Sequence, residues 1–311
     1  MPARLLTLLF VLSLFLVSGA GLTQVARADP AEGGYRYLGH GRIVNNDFYG
    51  DGHDRWRTGS VIGSRIYGRG WEGRLPTQPG DIIEIRLGGE IIAPRQLSGR
   101  TAGDRPYAAA LSLGLHTHFR LGEWDTALGA DVVVTGPQNG LTDLQNWIHD
   151  GLGVRKASPA VLAGQVPDGV HAAAVWEMGR NFVAGSATLR PFVEVRAGPE
   201  DILRAGFDVS VGPAGQGELL VRDPVTGQRF RAIRRAADGW SFVAGADVAR
   251  VMDSLYLPDA IRRDVRYRVR SGVHWQNKRW TGFYGLTLMG PEFVGQSEAQ
   301  LLGSLRIQIA F

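Results

Sequence analysis

The chain has 311 residues, a formal net charge of +4 and no cysteine. The absent thiols exclude a disulfide framework and a thiolate metal site, and so small a positive balance gives no support for a nucleic-acid partner. Glycine is frequent, at 43 residues, but lacks the period of three that collagen requires.

Arg4, the apolar run Leu5–Val17 and Ala26-Arg27-Ala28 read as a secretory signal. Cleavage after Ala28 divides the chain into a signal peptide, 1–28, and one mature domain, 29–311. A retained anchor is the alternative, although the apolar run is short for a spanning helix and no later stretch approaches the length of one. Lys156 and Lys278 are the only lysines, so arginine supplies nearly all the positive charge. Its planar fork suits carboxylate and phosphate, although codon bias gives the same composition.

A dense polar stretch follows. Asn45–Ser60 packs Asn46, Asp47, Asp51, His53, Asp54, Arg55, Arg57 and Thr58 between two alternating apolar segments. Asp and Asn offer hard oxygen ligands, and Gly50, Gly52 and Gly59 let the backbone turn. A solvated hairpin loop has the same composition.

Alternation with period two recurs downstream. Ile83, Ile85 and Leu87 are set against Glu84 and Arg86, and Leu203, Phe207 and Val209 against Arg204 and Asp208. Val265, Tyr267 and Val269 are set against Arg266, Arg268 and Arg270. A charged polar face suits a membrane barrel, with its apolar face in lipid and its charges paired across a lumen. The predicted fold class is therefore all-β, a transmembrane antiparallel β-barrel of about twelve strands. The strands start near Tyr37, Arg57, Gly80, Tyr107, Trp124, Val170, Ala187, Leu203, Trp240, Arg262, Trp280 and Leu301. An even count puts both termini on the periplasmic side. Segments 48–56, 93–106, 136–169, 199–202, 252–261 and 289–300 then become extracellular loops.

One short helix is predicted in the longest loop. Thr142-x-x-Gln145 reads as a capping box, Leu141, Leu144, Ile148 and Leu152 form an apolar stripe, and Gly151 and Gly153 supply a stop. Gln145 and His149 are i, i+4 neighbours on it. The connection Gly212–Gly239 reads as a small protruding hairpin turning at Asp223-Pro224-x-x-Gly227. Leu305, Ile307, Ile309 and Phe311 alternate with Arg306, Gln308 and Ala310, and an aromatic last residue resembles the assembly signal of outer-membrane barrels. A half-buried strand of a soluble sandwich alternates in the same way.

Asn46-Asp47-x6-Asp54-Arg55-x2-Thr58-Gly59 resembles the N-terminal signature of the outer-membrane lipid A 3′-O-deacylases, the LpxR-type family. Asp104-Arg105-Pro106-Tyr107-Ala108 and Gly136-Pro137-Gln138-x6-Gln145-x2-Ile148-His149 resemble two further segments of it. Gly290-Pro291-Glu292-Phe293 and Gln300-x2-Gly303-Ser304 resemble its C-terminal part. The resemblance implies an esterase of the Gram-negative outer membrane; a monomer is the expected state. Its substrate is lipid A of lipopolysaccharide, and the bond cleaved is the 3′-linked acyloxyacyl ester.

The resemblance assigns His149 as the general base, with Asn46 and Asp47 completing the catalytic set. It implies a calcium ion, expected at Asp47 and Glu177. Hard oxygen donors without cysteine also favour Ca²⁺ or Mg²⁺ over zinc. Arg105 is expected on a lipid A phosphate, with Thr58 and Gln145 as further substrate contacts. No G-x-S-x-G element is present, so water is the expected nucleophile. His53 is expected to be solvated or a secondary ligand, and His116-x-His118 to line the lumen. A passive pore or adhesin barrel, and an outer-membrane phospholipase, are the rival readings.

Overall fold

The computed structural model describes residues 34–309 except Ala236 and Lys278. The expected signal segment and Phe311 lie outside the described residues. The chain runs β1 (Arg36–Asn46), β2 (Trp56–Gly68), β3 (Ile82–Ala93), β4 (Ala108–Leu121), β5 (Trp124–Thr135), α1 (Leu141–Leu152), α2 (Pro159–Leu162) and β6 (Gly169–Gly179). It continues through β7 (Phe182–Ala184), β8 (Ala187–Ala197), β9 (Glu200–Val211), β10 (Leu219–Arg222), β11 (Arg229–Ile233), β12 (Gly239–Ser254), β13 (Val265–Gln276), β14 (Trp280–Met289) and β15 (Gln300–Ile309). Twelve of these strands are long. They pair antiparallel in the order β6-β5-β4-β3-β2-β1-β15-β14-β13-β12-β9-β8, and β6 also pairs with β8, so the sheet closes on itself. Each long strand begins within three residues of its predicted start.

Burial along the wall is inverted relative to a soluble sandwich. Leu113, Leu115, Val132, Leu203, Phe207, Val248 and Val269 are exposed on the outside, whereas Glu84, Arg86, Glu194, Arg268 and Arg270 are buried inside. An apolar outer belt around a charged lumen is what a bilayer demands of a barrel. Segments 47–55, 94–107, 136–168, 198–199, 255–264 and 290–299 all emerge at one rim, here called the loop rim. They match the six loops predicted on the extracellular side.

The segment between β9 and β12 does not protrude. Its hairpin, β10 with β11, folds back into the lumen, where Leu219, Val221, Phe230 and Ile233 are buried against Ile43, Ile62, Ile66, Ile82 and Phe283 of the wall. Full burial of each large apolar side chain contributes about 1.5–3 kcal/mol, which a hairpin exposed to water would forgo. The wall makes room with two glycines. A Cβ on Gly39 or Gly41 would lie 2.4 Å from the carbonyl oxygen of Ala232 or Arg231. Ion pairs fasten the plug, with Arg222 Nε 2.7 Å from Glu177 and Arg222 Nη2 2.8 Å from Asp208. Above its turn a cavity of about 160 Å³ remains, bordered by Pro224, Val225, Arg57, Glu200 and Tyr256.

Candidate active site

The first outer loop begins with a single 3-10 turn, Asp47–Tyr49, capped by Asn46, whose side-chain oxygen accepts the Phe48 N–H at 2.8 Å. Asn46 therefore shapes the turn that presents Asp47. The Asp47 side chain is wholly buried. Its Oδ2 accepts the Arg55 N–H at 2.8 Å, and its Oδ1 lies 3.2 Å from the Thr58 hydroxyl. Burial first, then the neighbouring Asp54 and Asp51 carboxylates, push the Asp47 carboxyl up to about 8 against the pull of these donors. The Thr58 hydroxyl also lies 2.5 Å from Asp54 Oδ1. One hydroxyl proton cannot serve two carboxylates. A protonated Asp47 resolves this by donating to Thr58, which then donates to Asp54.

The strand beneath is bent to make this contact. β2 carries one extra residue against β3 between Trp56 and Gly59, a bulge. Trp56 adopts φ 54°, the one non-glycine residue among those described with positive φ. Such strain persists only where the surroundings hold it. Here the indole packs against Phe293 and Leu257 and under the Arg55 guanidinium. The bulge sends Arg57 into the lumen, where it meets Glu90, Glu200 and Glu292, while Thr58 stays beside Asp47.

Helix α1 forms where predicted, and Gly153 ends it in the left-handed region at φ 64°. The capping box does not form. The N-cap is Gly140, and the Asn139 side chain instead accepts the Leu141 N–H at 3.0 Å. Leu141 seats over Gly89 on the outside of the wall. The most buried line of the helix is polar, Thr142, Gln145 and His149, rather than the leucine stripe. Gln145 Oε1 accepts the Tyr107 hydroxyl at 2.6 Å, and burial pushes that phenol up to about 12. Gln145 is thus tied to the wall in this structure.

His149 Nδ1 is 2.8 Å from the Arg155 carbonyl oxygen. A carbonyl can only accept, so Nδ1 carries the hydrogen and Nε2 is left with its lone pair. Nε2 faces Asp54 Oδ2 at 3.6 Å, a separation that suits a bridging water. A continuous line runs from His149 through Asp54 and Thr58 to Asp47, joining the first and third sequence motifs. Asp54 is the link that sequence reading left without a role. Its place four residues before Thr58 within the motif was the available signal.

Two predicted site residues lie elsewhere. Arg105 points inward with its side chain wholly buried, 2.6 Å from Glu292 Oε2, so it is not presented to a phosphate at the surface. The acids gathered around Arg57 and Arg266 draw it inside. Glu177 is near the opposite end of the barrel, two residues before β6 ends, paired with Arg190 at 2.8 Å and Arg222 at 2.7 Å. It cannot share a ligand with Asp47, because the alternation of β6 aims it at the plug. His53 is exposed beside Asp51. His116 and His118 line the lumen, bonded to Asp131 and Glu84.

The model of the family described as "Outer membrane protein LpxR" matches residues 9–311. The chain belongs to the LpxR family. The solved structure of LpxR from Salmonella typhimurium superposes with a TM-score of 0.71 at 16% identity, covering 88% of this chain and 99% of that one, and shares its fold. The match to the β domain of the Bordetella autotransporter Brka covers 88% of this chain and 100% of that one, with a TM-score of 0.41 at 10% identity. No curated protein matches the sequence. LpxR-family membership places the barrel in the outer membrane.

Calcium is the cation expected from the sequence. The donor chemistry fits a hard cation, since Asp47, Asp54 and the Thr58 hydroxyl are all oxygen donors and the buried Asp47 carboxyl touches no cationic side chain. A preassembled set does not exist among the described residues, which hold no group of three or more His, Asp or Glu side chains placed to bind a metal.

Proposed function

We propose that this LpxR-family protein hydrolyses the 3′-linked acyloxyacyl ester of lipid A, with water as the nucleophile and His149 as the general base. The observation that supports it best is the orientation of His149. Its Nδ1–H is spent on the Arg155 carbonyl, and its Nε2 lone pair faces the polar line that leads to Asp47. Nε2 removes a proton from water as the oxygen attacks the ester carbonyl. It returns that proton to the 3′ oxygen of the sugar as the carbon–oxygen bond breaks. Asp54 holds the water and offsets the charge on the imidazolium. Asn46 acts through the turn it caps, and Gln145 through its bond to Tyr107.

Calcium is part of the proposal. Asp47, with Asp54 and Thr58, would hold it, and a bound cation supplies positive charge to a developing oxyanion. Arg105 is proposed to hold the rim together through Glu292 in place of the phosphate contact expected from sequence.

Two further observations favour a lipid substrate over a pore. Phe48, beside Asp47, and Trp147, two residues before His149, are both exposed at the site, as suits acyl chains. The lumen, in contrast, is occupied by the β10–β11 plug and its ion pairs. Mass spectrometry of lipid A after incubation with the purified protein tests the proposal. Loss of the 3′ acyloxyacyl chain is expected, and hydrolysis of diacyl phospholipid alone would replace this reading with the phospholipase one.

A further inference from the structure

Along the long strands few outward positions away from the strand ends are charged: Arg42 on β1 and Arg65 on β2 face out side by side, and Arg250 on β12 faces out alone near the loop rim. The neighbours of Arg42 and Arg65 fix the direction. Gly41, Ile43 and Asn45 are buried toward the lumen, as are Ile62, Ser64 and Ile66. The register pairs Arg42 with Gly63 and His40 with Arg65, so the two arginines are diagonal neighbours on one face. Gly63 leaves a notch between them, since a Cβ there would meet nothing within 4 Å. β15 pairs with β1 only from Val44 to Asn46, so no paired strand covers the far flank of Arg42. Among the described residues neither guanidinium has a carboxylate within salt-bridge reach.

Arg42 stands near the middle of β1, and Arg65 lies toward the turn rim. Arg65 is two residues from Tyr67, which pairs with Tyr37 near the end of both strands. Asp47 and Thr58 sit at the other end of the same two strands. Charges on a lipid-facing wall are costly unless a counter-charge from the membrane meets them. A phosphate matches the planar forks of two adjacent arginines.

We propose that Arg42 and Arg65 clamp the phosphate of a phospholipid from the periplasmic leaflet, seated over Gly63. Lipid A, in the opposite leaflet, presents its phosphates at the loop rim, at the other end of these strands. This site does not depend on the esterase reading.

Native mass spectrometry of the full chain from nanodiscs of phosphatidylglycerol and phosphatidylethanolamine tests it. The wild type is expected to retain one phospholipid, and the Arg42→Gln/Arg65→Gln double variant to bind it about tenfold more weakly or worse. Arg250→Gln, outward at the loop rim, should retain lipid like the wild type. The double variant removes no described contact and should still fold, which heat-modifiable migration checks. In maltoside micelles, added phosphatidylglycerol should raise the melting temperature of the wild type and not of the double variant. Equal retention by both proteins, or no retention by the wild type, would overturn the proposal.

Discussion

His149 and Asp54 face each other at 3.6 Å across the gap between helix α1 and the first outer loop. Each is fixed from behind, the histidine by the Arg155 carbonyl and the aspartate by the Thr58 hydroxyl. The pair therefore holds its geometry only while the loop helix stays docked on the wall.

His149→Ala is expected to lower the rate of lipid A deacylation by roughly 10²–10⁴-fold, the worth of a general base. The side chain stands on a loop helix, outside the sheet ladder, so the variant should still migrate as a folded barrel. Added Ca²⁺ should not restore it. Turnover of lipid A by the purified variant gives the answer.

Asp54→Asn keeps the shape of the link but removes its charge. A loss of about tenfold or more in kcat, with little change in KM, is expected, because the carboxylate acts when the imidazolium forms. A rise in KM at constant kcat would assign Asp54 to substrate binding.

How far the sequence led differs between wall and contents. Strand number, strand starts and the six loops were legible because period-two alternation and membrane thickness constrain them tightly. The plug was not. Alternation in 219–233 reports two strands but not which way the hairpin swings, and that was decided by Gly39 and Gly41, far away in sequence. The motifs singled out Asp47 and His149, and the fold brings the two segments together through Asp54 and Thr58. Arg105 and Glu177 were misplaced because a motif gives residue type and not side-chain direction. Arg105 went to Glu292, a partner 187 positions away.

Asp47 predicts a pH dependence. Its folded value of about 8 lies above the ordinary 3.8, so without a cation the folded protein holds a proton that the unfolded chain releases. The stability this carries is fully present below about 4 and lost as pH rises through about 8. A cation bound at Asp47 must displace that proton. Its affinity should therefore rise by up to about tenfold per pH unit between roughly 5 and 8, then level off. Calorimetry in buffers of different ionisation enthalpy counts the proton released. Asp47→Ala should lose activity and regain part of it at high Ca²⁺.

Glu292 accepts from Arg57, Arg105 and Arg266 at 2.6–3.1 Å. Glu292→Gln leaves these buried guanidinium groups short of negative charge. Breaking a buried ion pair in this way costs about 3–5 kcal/mol. Unfolding in urea should show a lower midpoint, with loops 94–107 and 290–299 losing protection from hydrogen exchange.

The plug predicts electrical silence. In planar bilayers the wild-type barrel should not conduct, and replacing 215–235 with a short turn should open a channel. Conductance by the intact protein would show that the hairpin leaves the lumen in a membrane.

The most direct measurement is mass spectrometry of lipid A from Gram-negative cells expressing the wild type or His149→Ala at equal outer-membrane levels. Wild-type cells should show lipid A lighter by the 3′ acyloxyacyl chain, and His149→Ala cells should keep the chain. Unmodified lipid A in wild-type cells, or the same loss in both, would contradict the account.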